Sequence, residues 1–209
     1  MNARGPTRWL FDAWSLFYDL PPVQWATYRP VHDAVLAELR RRPARRVLDL
    51  GCGTGQLTAR IAGALHPHRI TGCDFSLGML RHAATRSRRV RWVRGDAARL
   101  PFHDAAFDTI VSTEAFHWFP DQAAALRECF RVLNPGGRLL MALVNPPLKV
   151  VGQVAFAGSR LAGQPFYWPT RSEMRRGVEA AGFQLDHQQR IFRVAGFLLP
   201  PVLTCAIRP

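Results

Sequence analysis

A chain of 209 residues, 48% of them hydrophobic, is long enough to bury one sizeable α/β core and too short for two. Its formal charge of +13 points either to an anionic partner, nucleic acid or an acidic membrane surface, or to a coding preference for arginine, since Lys149 is the only lysine. Cys52, Cys73, Cys129 and Cys205 form no C-x-x-C pair, which argues against a zinc ribbon and a disulfide scaffold and reads them as buried small apolar residues.

Residues 9–18 gather Trp9, Phe11, Trp14, Leu16, Phe17 and Tyr18 ahead of Pro21 and Pro22. Residues 30–42 then carry Val31, Val35, Leu36 and Leu39 at helical spacing, with Arg40, Arg41 and Arg42 in the last turn, where cations suit the helix dipole. Residues 1–43 therefore read as an N-terminal helical cap, with Tyr18 and Tyr28 as candidates for a lid over a ligand. An aromatic stripe is more often plain core.

The next stretch, VLDLGCGTGQLT at residues 47–58, organises the chain. An apolar run ending at Leu50 and closed by Gly51, Gly53 and Gly55 predicts a buried strand, a tight turn and a helix start. Glycines there let bare backbone approach a ligand, and the helix start favours an anionic group. Asp49 would repel a pyrophosphate but suits a ligand carrying an ammonium group.

A helix is predicted over residues 56–65 and a second strand over residues 68–74. Asp74 falls about twenty residues past the glycine turn, where an acid binds ribose hydroxyls. Phe75 and Met79 are placed to flank an adenine ring. In the competing reading Asp74 or Ser76 simply caps the helix at residues 77–85. A third strand at residues 90–94 ends at Gly95, Asp96 and Ala97, so that three successive strands each end in an acid. The fourth, FDTIVS at residues 107–112, runs into Thr113, Glu114, Phe116 and His117.

A helix at residues 121–132, a turn at residues 134–137 and a fifth strand at residues 138–144 follow. Residues 150–161 are expected to be helical, because a long structureless loop is uncommon. Residues 170–181 read as a capped helix stopped by Gly182, and residues 183–194 and 197–207 as two closing strands. Pro200 and Pro201 put the last strand at an edge or make it begin late. Strand and helix alternate throughout. The expectation is a single α/β domain spanning residues 1–209, Rossmann-like, with a doubly wound, mostly parallel sheet of about seven strands and helices on both faces. Within it, residues 44–145 form the cofactor-binding core, residues 146–169 an insert covering the acceptor site, and residues 170–209 the C-terminal helix and closing strands.

VLDLGCGTG, then TGCDFSLGML, then GDAARLPFHDAAFDTIVSTEAFHWFPD, then LRECFRVLNPGGRLLM, in that order and spacing, resemble the class I S-adenosylmethionine-dependent methyltransferases. The resemblance covers residues 47–144 and is nearest the small-molecule branch that includes the ubiquinone/menaquinone C-methyltransferase and trans-aconitate methyltransferase types. It implies S-adenosylmethionine as cofactor. Asp49 with Gly51, Cys52 and Gly53 would hold its methionine end, Asp74 its ribose, Phe75 and Met79 its adenine face, and Asp96 and Ala97 the adenine edge, with Tyr18 and Thr113 completing the set. The third glycine comes one residue earlier than in G-x-G-x-x-G, which disfavours a dinucleotide.

Methyl transfer from a sulfonium needs alignment and dryness more than side-chain chemistry. If the acceptor is a hydroxyl or an acidic carbon, a general base is required, and Glu114 and His117 are the titratable groups placed for it. The expected acceptor is small and hydrophobic or aromatic. The alternatives are a nucleic-acid methyltransferase, which the charge alone motivates, and a cofactor-binding module without catalysis. No metal is expected. With no leader-like segment and no apolar run near the ~18 residues of a membrane span, the sequence predicts a cytoplasmic protein whose membrane contact is at most peripheral.

Overall fold

The structure, a computed structural model, describes residues 28–65, 67–161, 166–192 and 200–209. The part of the expected cap before residue 28, Tyr18 included, lies outside the described residues. The first described element is α1, Arg29–Arg41, whose Val31, Val35, Leu36 and Leu39 are all buried as the helical spacing requires. Five strands follow: β1 Arg46–Leu50, β2 Arg69–Asp74, β3 Arg91–Arg94, β4 Phe107–Thr113 and β5 Leu133–Val144. Helices α2 Gln56–Leu65, α3 Leu77–Arg86 and α4 Gln122–Val132 connect them. Helix α5, Lys149–Leu161, and α6, Arg171–Ala180, lead to β6 Gln184–Arg190 and β7 Pro201–Ile207.

The strands form one seven-stranded sheet in the order β3-β2-β1-β4-β5-β7-β6. β3 through β5 are mutually parallel, while β7 runs antiparallel to both β5 and β6. Period-2 alternation splits the core between the two faces. Leu48, Leu50, Ile110, Leu139, Met141 and Leu143 point to the face covered by α4 and α6, where they meet Leu126, Cys129, Met174 and Val178. Val47, Val111, Leu140, Ala142, Leu203 and Cys205 point to the opposite face, against Val35, Leu39, Leu57 and Ile61 of α1 and α2.

Two expectations are resolved or corrected here. The last strand takes the late start: it begins at Pro201, opposite Val144, and is interior, flanked by β5 and β6, so the missing N–H falls on its first residue. Residues 134–137 are not a simple turn, because Leu133 pairs with Phe107 and Gly136 and Gly137 exchange backbone hydrogen bonds with Arg208 at 2.7 and 2.9 Å. The chain end pulls that segment into β5. The helix N-caps follow side-chain chemistry, with Ser76 accepting from Met79 N–H, Asp121 from Ala124 N–H, and Thr170 with Glu173 closing a reciprocal capping box.

Candidate active site

The loops at the carboxyl ends of β1, β2, β3 and β4 are stitched into one rim. Gly51 N–H and Cys52 N–H both donate to Cys73 O, at 2.8 and 3.1 Å, and Gly95 N–H donates to Asp74 O at 3.1 Å. Gly53 N–H donates to Asp74 Oδ2 at 2.9 Å, and Ser76 N–H to Asp74 Oδ1 at 2.8 Å. Ser76, and not Asp74, caps α3. The Asp74 carboxylate is therefore held toward the glycine turn, with one close donor on each oxygen and acceptor capacity remaining on both.

The three glycines of the turn all have positive φ, and they differ in what a side chain would meet. At Gly53, φ 53°, a Cβ has nothing within 4 Å, so the backbone faces open space. At Gly51, φ 71°, a Cβ would stand 2.4 Å from Ala115 Cβ, and at Gly55, φ 77°, 2.5 Å from the Trp92 ring. Gly53 is the ligand-facing glycine, whereas Gly51 lets the segment after β4 close on the turn. Gly51→Ala combines left-handed backbone strain of roughly 1–2 kcal/mol with overpacking of about 1–3 kcal/mol. Chemical denaturation should show a loss of about 2–5 kcal/mol, and a loss of only about 1–2 kcal/mol would mean that Ala115 simply moves aside and the backbone strain alone remains.

Trp92 carried no signal in the sequence, yet it organises this corner. Its ring lies across Gly72, where a Cβ would come within 2.4 Å, and under Gly55, while its Nε1–H donates to Ser87 O at 3.2 Å. A large ring over two Cβ-less positions keys β2, β3 and the glycine turn together.

Asp49 is fully buried and accepts from Thr58 Oγ1–H at 2.5 Å. Burial raises its carboxyl from 3.8 to about 7; the Thr58 hydrogen bond opposes the shift and the neighbouring Asp74 adds to it. Burial likewise raises Asp74, against the pull of the backbone N–H groups of Ser76, Gly53 and Phe75. Two acids with raised affinity for protons beside an open glycine backbone form a receptor for a cation with hydroxyls nearby. A phosphate there would lie beside two carboxylates.

The remaining predicted residues fall around this rim. Phe75 is 45% exposed, with the Arg94 guanidinium 5.6 Å from its ring centroid and Arg94 Nε–H donating to Phe75 O at 3.2 Å. Met79 is buried in the first turn of α3, Cys52 is buried beside Gly72, and Thr113 is the last residue of β4. Asp96 closes its own turn, accepting from Ala98 N–H at 2.9 Å, while Ala97 packs on the core. Tyr28 sits at the N-cap position of α1.

Glu114 has φ 50°, a left-handed backbone that glycine would take more readily, and its N–H donates to Ala142 O at 2.8 Å. His117, in the short 3₁₀ turn Phe116–Trp118, is only 7% exposed. Burial drives its imidazole down to about 3, so it is neutral at any ordinary pH. Its ring stands 5.1 Å from Trp118, 6.0 Å from Phe166 and 5.8 Å from Trp168. That cluster is built by residues 166–169, the end of the segment expected to cover the acceptor site; its contact with His117 carried no sequence signal. Tyr167 N–H donates to His117 O at 2.9 Å, Gln122 Nε2–H to Phe116 O and Tyr167 O, and Asn145 Nδ2–H to Pro169 O at 2.6 Å. His117 Nδ1 and Trp168 Nε1 are buried with no hydrogen-bond partner, two polar atoms left over in an aromatic enclosure.

The family model of a methyltransferase domain matches residues 48–141 of this chain. A demethylmenaquinone methyltransferase of Thermus thermophilus is 40% identical over 186 residues, covering 78% of this chain and 84% of that protein. One of Corynebacterium kroppenstedtii is 35% identical over 173 residues, covering 72% and 73%. Among solved structures, the putative methyltransferase of Haloferax volcanii in complex with the Trm112 methyltransferase activator superposes over 100% of both chains with a TM-score of 0.79 at 22% identity, a likeness of fold. With relatives of this identity matched over most of their length, and a glycine turn and strand-end acids that suit a cationic adenosyl amino acid, the chain belongs to the class I S-adenosylmethionine-dependent methyltransferases and transfers methyl from that cofactor to a small-molecule acceptor.

Proposed function

We propose that the acceptor is a hydrophobic ring compound bearing a hydroxyl, of the quinol type, taken from an anionic membrane surface. The observation that carries this reading is the 40% identity to a demethylmenaquinone methyltransferase over 84% of its length. The aromatic cluster of His117, Trp118, Phe166 and Trp168 supports it, since a flat ring would stack against the edge of these packed rings.

The open space at Gly53 and the acceptor capacity left on Asp74 fit the cofactor. Asp74 would take the two ribose hydroxyls, and Asp49 with the backbone of Gly51, Cys52 and Gly53 the ammonium end. Phe75 and Met79 would lie on either side of the adenine, with Asp96 and Ala97 at its edge and Thr113 beside the glycine turn. The cofactor supplies a methyl group already activated by its sulfonium charge. The chain has to align the acceptor, exclude water and remove a proton. Glu114 is assigned the proton. His117, neutral and enclosed, is assigned acceptor positioning together with Trp168 Nε1–H, the two offering hydrogen bonds to a ring oxygen.

The start of α5 supplies a surface for membrane contact. Leu148, Val150 and Val154 are 62%, 55% and 67% exposed, and Val150, Gln153, Val154 and Ala157 share one face, with Lys149 and Arg160 at its margins. Exposed apolar residues flanked by cations on a positively charged protein suit the interface of an anionic bilayer. No described helix is long and apolar enough to cross a membrane. Val154→Glu should weaken co-sedimentation with phosphatidylglycerol vesicles about tenfold, corresponding to ~1.5 kcal/mol for one lost apolar side chain, and leave cofactor affinity unchanged. Unaltered vesicle binding would remove α5 from the interface.

The acceptor is tested with methyl-labelled S-adenosylmethionine, offering in parallel a demethylated naphthoquinol in vesicles and bulk tRNA. Label in the quinol supports the reading. Label in tRNA, with steeply salt-dependent binding, would replace it with a nucleic-acid substrate.

A further inference from the structure

Glu38 of α1, His187 of β6 and Cys205 of β7 converge beneath the sheet face that α1 covers. Their donor atoms all lie within 4.8 Å of one another. Residues 187 and 205 are direct cross-strand partners, and Glu38 reaches them from the last turns of the helix packed above. The convergence is invisible to spacing, because the three positions are far apart in sequence and only the pairing of β6 with β7 joins them.

We propose that Glu38, His187 and Cys205 form a binding site for one zinc-class divalent cation, separate from the methyl-transfer site. The donor set is one thiolate sulfur, one imidazole nitrogen and one carboxylate oxygen, the mixture that selects zinc over magnesium or calcium. Donor–donor separations in a tetrahedral zinc site are ~3.5 Å, given metal–ligand bonds of roughly 2.0–2.3 Å. From separations of up to 4.8 Å the trio therefore needs to close by about 1.3 Å at most, and solvent would provide the fourth ligand on the half-exposed His187 side.

The histidine is already oriented for the task. Its Nε2 lies 3.7 Å from Glu38 Oε1, while its Nδ1 lies 3.1 Å from Asp186 Oδ2. A carboxylate on the far ring nitrogen fixes the tautomer that leaves Nε2 free to ligate, and raises ligand basicity. Charge also closes: the ion displaces the thiol proton of Cys205 to solvent, and the resulting thiolate with the Glu38 carboxylate neutralises a divalent cation. The competing cation is Arg41, whose Nη1–H donates to Glu38 Oε1 at 2.9 Å from a largely exposed side chain. The Glu38 carboxylate is itself mostly buried, so the ion has to displace Arg41, whose own side chain is 72% exposed and swings out into solvent when released. Arg138, buried nearby and bonded to the carbonyls of Glu38 and Arg42, stays on the backbone.

Cys205 is opposite Leu140, Leu140 opposite Val111, and Val111 opposite Asp49, so three strand spacings, about 14 Å, separate the trio from the cofactor acids. The ion would be structural, tying α1 to the β6–β7 pair.

The test uses untagged full-length protein, stripped with a chelator and titrated with Zn²⁺ against a chromophoric competitor. The expected result is one equivalent bound per chain, an upward shift of melting temperature, and, with Co²⁺, a sulfur-to-metal charge-transfer band with strong visible absorption. His187→Ala and Cys205→Ser should each lower affinity at least tenfold and abolish the cobalt spectrum. Asp186→Asn should lower affinity about tenfold through its hydrogen bond alone, and the exposed His103→Ala should change nothing. If Cys205→Ser fails to fold, the half-exposed His187 variant decides. Substoichiometric Zn²⁺ binding, or one full equivalent retained in His187→Ala, overturns the proposal.

Discussion

Glu114→Gln is expected to lower methyl transfer to a quinol-type acceptor by about 10²–10⁴-fold while leaving the dissociation constant of S-adenosylmethionine within about twofold. Glutamine keeps the shape and removes only the ability to take a proton. The position is suited to that role. Glu114 follows β4 directly, at the strand ends where ligands of such sheets lie, and its left-handed φ of 50° is a conformation that costs a non-glycine residue of order 1–3 kcal/mol. The hydrogen bond from its N–H to Ala142 O and the docking of the next residue, Ala115, against Gly51 hold it there. Glu114→Gly should therefore relieve the backbone, gaining stability, and lose the same activity; a purely structural glutamate would show the opposite pairing. His117→Gln should instead raise the acceptor KM with a smaller change in kcat, because a histidine that stays neutral down to pH about 3 is a weak base but a sound hydrogen-bonding partner. Turnover within threefold of wild type in Glu114→Gln would remove it from the chemistry.

The sheet was legible because its residues obey local rules. Alternation along Leu139 to Leu143 assigns both faces of β5, and Ser76 caps α3 through its own side chain. The glycine run announces the turn because φ near +50 to +80° is a backbone property that the residue type itself reports. What stayed illegible depends on contacts distant in sequence. Trp92 looks like an ordinary residue of a short arginine-flanked strand until β2 brings Gly72 under its ring. Thr58 is one helix residue among many until Asp49 accepts its hydroxyl. The strap at residues 166–169 meets His117 through the backbone bond from Tyr167 N–H and the rings of Phe166 and Trp168, with Gln122 bridging Tyr167 O to Phe116 O, contacts that no local spacing reports. The separate purposes of the three turn glycines were equally hidden, since the sequence gives no sign that Ala115 fills the space above Gly51 and nothing fills that above Gly53.

Cofactor binding should depend on pH through Asp49, and on Asp74 for its strength. The Asp49 carboxyl, raised by burial to about 7, is largely protonated in the free protein below neutrality. A ligand ammonium binds the ionised form, so binding lowers that pKa. Affinity should be flat above pH 7 until the ligand amine itself titrates near ~8. Below pH 7 it should weaken by up to about tenfold per unit, levelling off once the bound-state pKa is passed. Asp49→Asn should flatten this acid limb and weaken binding throughout. It should also stabilise the cofactor-free protein above pH 7: a group whose pKa is raised on folding holds more protons folded than unfolded between about 3.8 and 7, so its contribution falls as pH climbs through that window and stays low beyond it. Asp74→Ala should cost ~1.5–3 kcal/mol of binding, ten- to more than a hundredfold, from lost hydrogen bonds to a charged acceptor. Part of that loss would come from Gly53 N–H and Ser76 N–H, which Asp74 also holds. Asp74→Asn, keeping one acceptor oxygen, should lose less. Isothermal titration across pH 5–8 separates the two acids. A pH-independent affinity, or full-strength binding by Asp74→Ala, would mean that the cofactor does not sit where these carboxylates meet the glycine turn.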